Sequence, residues 1–217
     1  MATLLETTRQ MISVAFMGLP LMIIAFVFFI GFGLGNVGMI VLFLGQITVV
    51  PLVTSILHLI TDRLPESWFK VPSHDVCNLV PMAGTFGNAN AGPSFWMAQF
   101  LFFSGYLMTN GALLYQEAAQ TDADPKKVIN RKSRALTALI VTAIVAVFII
   151  SSRFFVTGCE TLSGTLLAIG TMIPLGVGWY YFARVCGVKN ADVFGIAAKM
   201  LPPGATAPPP MMCVYNS

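Results

Sequence analysis

The sequence predicts an all-α fold, a polytopic transmembrane helix bundle of about five spans. Three observations lead there. Hydrophobic residues make up 56% of the 217-residue chain and charged residues only 10%, where an ordinary soluble domain is about 25% charged. Mean hydropathy is +0.79. Uncharged runs recur at multiples of the roughly 20 apolar residues that one helix needs to cross a bilayer core. This composition excludes a soluble globular domain, a disordered chain and a collagen-like one. A net charge of +3 spread over the whole chain is no basic footprint, so no nucleic-acid partner is expected. A membrane β-barrel is excluded because runs such as Ile23–Ile30 are apolar without alternation.

The first uncharged run lies between Arg9 and Asp62 and suits two spans. Gly31-Phe-Gly-Leu-Gly-Asn36 is the natural break, since clustered glycines and an asparagine favour a turn. The spans are therefore placed near 12–33 and 37–59, with Pro20 and Pro51 as internal kinks. Glu6 and Arg9 precede the apolar run without a small-residue cleavage site, so the first helix reads as retained. Between Val76 and Gln116 the first part carries Pro81, Gly84, Gly87, Asn88, Gly92 and Pro93, which is loop chemistry. Only 95–115 should span, and 60–94 forms one long irregular loop at an interface. The last two spans are placed near 135–152 and 162–183, the latter with Pro174. Residues 1–185 thus form the transmembrane domain, and 186–217 an interfacial turn and a Pro-rich tail.

Five spans put the termini on opposite sides. The face with the N-terminus, the 60–94 loop and the 152–162 loop carries 4 Lys and Arg residues, and the face with the 116–134 loop and the C-terminus carries 8. The positive-inside bias makes the latter face cytoplasmic, or the equivalent inner face. Trp68 and Trp96 read as interfacial belt aromatics. His74 reads as a loop histidine beside Asp75.

The 4 cysteines, at 77, 159, 186 and 213, show no C-x-x-C spacing, and there are only 2 histidines. No metal site and no cofactor is expected. Cys77 and Cys159 fall on one predicted face and are able to pair in an oxidising compartment.

Three short segments on that face belong together: Lys70 to Cys77-Asn78, Pro93-Ser94-Phe95-Trp96, and Ser152-Arg153 followed by Cys159 and Ser163. In order and spacing they resemble the phosphatidic acid phosphatase type 2 superfamily, the lipid phosphate phosphatases, whose pattern is K-x6-R-P, P-S-G-H and S-R-x5-H-x3-D. The resemblance covers about residues 60–185. It matches Lys70 and Arg153 to residues that neutralise phosphate, and Ser94 to the serine of the second motif. Cys77 and Asn78 stand at the R-P positions, Phe95 and Trp96 at G-H, Cys159 at the nucleophilic histidine and Ser163 at its orienting aspartate. The resemblance therefore implies a catalytically degenerate scaffold with no catalytic residue, retaining at most a weak anion or lipid-headgroup site at Lys70, Ser94 and Arg153.

The tail, from Leu201 through Pro208-Pro-Pro210 to Ser217, should be extended and polyproline-like, a form suited to docking other membrane or coat proteins. It bears a fainter resemblance to membrane proteins of large DNA virus particles, which implies a virion membrane. The expected function is a structural or scaffolding role in a membrane assembly, with membrane lipids and homo- or hetero-oligomeric neighbours as partners. Two alternatives stand beside it: a divergent lipid phosphate phosphatase or phospholipid-binding protein, and a small transporter or channel. The spans offer transport only Gln46, Gln99, Asn110 and hydroxyls.

Overall fold

The computed structural model describes residues 2–64, 66–69, 92–116, 125–155, 158–187 and 192–193, with backbone alone over 2–17, 66–67, 125–127 and 131. The described residues form helices and no strands. In chain order these are α1 (Ala2–Gly33), α2 (Val37–Leu44), a π-helical turn (Gly45–Val49), α3 (Val50–Thr61), α4 (Glu66–Phe69), α5 (Phe95–Gln116), α6 (Pro125–Phe155) and α7 (Leu162–Val185). Three stretches are long and apolar enough to cross a membrane: Val37–Thr61, Val128–Phe155 and Leu162–Val185.

The turn expected at 31–36 is present. α1 stops at Gly33, Gly35 takes φ 58°, and Asn36 caps α2 by accepting a hydrogen bond from the Met39 N–H at 3.1 Å. A Cβ at Gly31 would stand 3.1 Å from Met39 Cβ, so the glycine lets the two helices close tightly on the turn.

Helix boundaries depart from the expected spans in two places. α1 begins at Ala2, ten residues before the expected start, and α6 begins at Pro125, ten residues before 135. Proline suits the first helical position, because its missing N–H is one the helix start leaves unused anyway. Much of the basic 116–134 segment is therefore the first turns of α6. Its exposed Lys132 stands 5.9 Å from the Tyr115 ring centre.

Pro51 shapes the rod from Val37 to Thr61. Within the π turn the Val50 N–H reaches back to the Gly45 carbonyl. The next residue, Pro51, has no N–H to offer the Gln46 carbonyl. Gln99 of α5 supplies the missing donor: its Nε2 lies 2.7 Å from that oxygen, in the buried interior. A wider turn accommodates the proline ring, and a glutamine from the neighbouring helix closes the gap in the ladder.

α5 is the centre of the bundle. Its Met97, Leu101, Phe102 and Tyr106 are buried, and it packs on both α6 and α7. It crosses α7 backbone to backbone. A Cβ at Gly105 would lie 2.7 Å from the Ile173 carbonyl oxygen, and one at Gly176 would fall on the Phe102 carbonyl. Between lipid-facing helices association comes from such close packing, because lipid chains are as apolar as the side chains they replace. Polar ties add to it. The Tyr180 hydroxyl donates to Asn110 Oδ1 at 3.3 Å, and Trp179 Nε1 donates to the Val41 carbonyl at 2.8 Å. By contrast, α6 is exposed along Ile140, Val141, Ile144, Val147 and Phe148, and α1 along Met22, Phe26, Phe29 and Phe32.

Candidate functional site

The start of α5, the end of α6 and the start of α7 converge at one end of the bundle. Each is fixed by local chemistry. Ser94 caps α5, its Oγ accepting from the Met97 N–H at 3.1 Å. Thr161 caps α7, its Oγ1 accepting from the Gly164 N–H at 3.0 Å. The chain reaches Ser94 through Gly92, whose N–H donates to the Phe69 carbonyl of α4 at 2.9 Å. Gly164 meets Gly92 closely, since its Cβ would stand 3.5 Å from Gly92 Cα. His58 of α3 adds a tie to this corner, with Nε2 2.7 Å from the Pro93 carbonyl. Gly158, at φ 63°, turns the chain between α6 and α7.

This corner holds a buried charged pair. Arg153 is 1% exposed, and its guanidinium lies 4.8 Å from the centre of the Trp96 ring. Its Nε stands 3.6 Å from Glu160 Oε1. Ser94 Oγ donates to the same carboxylate oxygen. One carboxylate therefore meets both the arginine and the serine expected to face a phosphate, and the arginine is backed by an aromatic face.

Burial pushes the Glu160 carboxyl above its ordinary 4.5, against the downward pull of the Ser94 hydroxyl and the Arg153 charge. The folded chain then holds this proton more tightly than the unfolded chain does. The stability it contributes is greatest at and below the ordinary value and declines as pH rises toward the raised one. Unfolding midpoints measured in detergent from about pH 4 to about pH 7 should show this decline, and Glu160→Gln should remove that component. A variant with the same pH slope as the parent contradicts the assignment.

Of the residues expected at the site, Ser94, Trp96, Arg153 and Cys159 are brought together. Phe95 is the half-buried first residue of α5, and Ser163 sits half-buried in the first turn of α7. Lys70, Cys77 and Asn78 lie outside the described residues, as do His74 and the tail from 194 onward. Trp96 is not an interfacial belt residue. It is 1% exposed, with Arg153 over its ring and the Phe100 ring, tilted against it, 5.7 Å away between centres. Trp68, on α4, is exposed. Cys159 is buried and disulfide-bonded.

Known proteins offer no shortcut. No family model, curated protein or solved structure matches the chain.

Glu160 is the residue that sequence reasoning missed as a site member. A signal was available: it is the one acidic residue between Asp124 and Asp192, seven residues after Arg153 across the α6–α7 link. In a chain so poor in charge, an acid and a base flanking one short link are natural partners. No cluster of histidine, cysteine and acidic side chains able to hold a metal occurs among the described residues.

Proposed function

We propose that the chain is a non-enzymatic integral membrane protein with a structural or scaffolding role in a membrane assembly. Its scaffold is lipid-phosphatase-like and catalytically degenerate. Five long helices cross the bilayer in this reading. α5 joins the three apolar spans because its polar residues face protein: Gln99, Ser104 and Asn110 are all buried. A central helix is shielded from lipid by its neighbours and has no need of a continuous apolar surface. α1 adds the fifth. The exposed apolar faces of α1 and α6 suit lipid and neighbouring membrane proteins, and the tail resemblance points to a virion membrane as the setting.

One observation carries the reading. At the places where the resembling family positions its nucleophile and general acid stand a disulfide-bonded cysteine and a tryptophan buried beneath Arg153. A cysteine attacks as the thiolate, and a disulfide sulfur has no thiolate to offer. Indole carries only an N–H that does not titrate near neutrality and is no general acid. Arg153, which would neutralise phosphate, faces the Glu160 carboxylate instead.

Phosphate release from phosphatidic acid in mixed micelles tests the reading. The purified chain is expected to release phosphate no faster than a Lys70→Ala, Arg153→Ala double variant. Turnover that disappears in that variant overturns the scaffold reading in favour of a divergent lipid phosphatase.

A further inference from the structure

Five buried side chains each keep an oxygen without a hydrogen-bond partner among the described residues: Gln46 Oε1, Thr54 Oγ1, Gln99 Oε1, Glu160 Oε2 and Thr165 Oγ1. The residues are between 1% and 6% exposed. Gln99 commits its Nε2 to the Gln46 carbonyl, which fixes the amide and leaves its Oε1 as an acceptor. A buried polar atom without a partner is costly, and where no protein group reaches one an ordered water normally does.

The fold gathers these oxygens along one line. α3 is tied to α5 at two levels. His58 Nε2 lies 2.7 Å from the Pro93 carbonyl, just before α5, and the Gln46 carbonyl accepts from Gln99 further in. Thr54 is one turn before His58 on the same side of α3, and so falls between the two ties. Thr165 enters from α7 at the outer level, because Gly164 stands against Gly92 and Pro93. Glu160 joins the same level through Ser94. From Ser94 to Gln99 is about 7.5 Å along the axis of α5. The line ends at Gly45. A Cβ there would lie 2.5 Å from Trp179 Nε1 and 2.8 Å from Phe102 Cζ, so the two rings press on the backbone and leave no room beside it.

We propose that the junction of α3, α5 and α7 is a hydrated inlet, in which a short file of ordered water runs from Glu160 past Thr165 and Thr54 to Gln46 and Gln99 and stops at Phe102 and Trp179. Roughly two or three waters cover the distance at the usual O···O spacing of about 2.8 Å. Water suits this lining because it donates two protons and carries no charge. The glutamine oxygens are neutral, and a bare cation beside them would lack a counter-charge where charge is expensive. An apolar ligand would leave every one of these oxygens unpaired. The inner end of the inlet is the π turn, where Pro51 interrupts the helical ladder. At membrane depth such an opened ladder is tolerated where protein or water meets the freed groups. The inlet needs only the packing of α3, α5 and α7, and it holds whether or not the chain is a scaffold.

Magic-angle-spinning NMR tests it on the full isotope-labelled chain in phosphatidylcholine bilayers, with magnetisation transferred from water to protein. The side-chain carboxamide carbons of Gln46 and Gln99 should build up as fast as that of the exposed Gln116, and several times faster than the methyl of Ala98, which is 0% exposed on the same helix as Gln99. Build-up at the Ala98 rate means a dry junction and overturns the inlet. Thr54→Val keeps the shape of the side chain and removes its hydroxyl, so Gln99 should slow toward Ala98 while Gln116 stays unchanged. A Gln99 rate that does not respond overturns the route past Thr54. The same spectra in sodium chloride and in choline chloride should coincide. Carboxamide shifts that follow the sodium concentration and saturate would give the site to a cation and overturn its assignment to water.

Discussion

Glu160→Ala is expected to destabilise the folded chain by about 3–5 kcal/mol, because it strands a buried guanidinium. Arg153 is 1% exposed and sits on the Trp96 ring. The cation–π contact is worth about 0.5–2 kcal/mol and does not replace a counter-charge in a low-dielectric surround. Ser94 would lose the acceptor of its hydroxyl proton at the same time. Arg153→Met with Glu160→Gln should recover most of the loss, since removing both charges removes the desolvation cost along with the attraction. Unfolding of the purified protein in detergent, followed by tryptophan fluorescence, compares both variants with the parent. The sign pattern matters more than the sizes: a large loss for the single variant and a small one for the double. Equal losses would mean that the pair contributes through packing alone.

Gly176→Val should have an effect at least as large and of a different kind. A Cβ at this position would fall on the Phe102 carbonyl oxygen and lie 3.0 Å from the Tyr106 nitrogen. These are backbone atoms of the central helix and have no rotamer through which to yield. Forcing extra carbon into a packed interior typically costs about 1–3 kcal/mol when side chains are able to move aside. Here α5 and α7 must separate, and the Tyr180–Asn110 bond and the Tyr106–Tyr180 ring contact would open with them. Loss of the folded, monodisperse protein on size-exclusion chromatography is the expected outcome. Gly178→Val is the control. It lies two residues along the same helix with open space around its Cβ position, so it should behave as the parent does. If both variants fold equally well, the close crossing is not a determinant of the bundle.

The helical class and the position of each long helix were legible in the sequence because charge is so scarce. Where only one residue in ten is charged, the gaps between charges are the helices. The 31–36 turn was legible for a similar reason: glycine and asparagine offer the conformations a sharp reversal needs. The helix starts were less so. Charge gaps mark where a helix is apolar, and α1 and α6 both extend through polar turns that a gap does not include. The π turn was half legible. Pro51 announced a defect, and the sequence had no way to say that Gln99, more than forty residues on, would mend it.

At the site, the spacing from Ser94 through Arg153 to Cys159 brought the correct residues to one corner. The polarity of that corner was read from the arginine alone. An arginine near a membrane surface suggests an anion to come, yet here the anion is Glu160, supplied from the α6–α7 link. Trp96 was misplaced for a related reason. A tryptophan at a helix start belongs to the interface by frequency, and only the arginine above it explains why this one is buried.

The central claim is that the charge of Arg153 is satisfied inside the protein and is not held for a phosphate ligand. Native mass spectrometry of the purified chain with equal amounts of phosphatidic acid and phosphatidylcholine tests it most directly. The parent and the Arg153→Met, Glu160→Gln variant should retain the two lipids in the same ratio. A preference for phosphatidic acid in the parent that vanishes in the variant contradicts the claim and makes this corner a headgroup site.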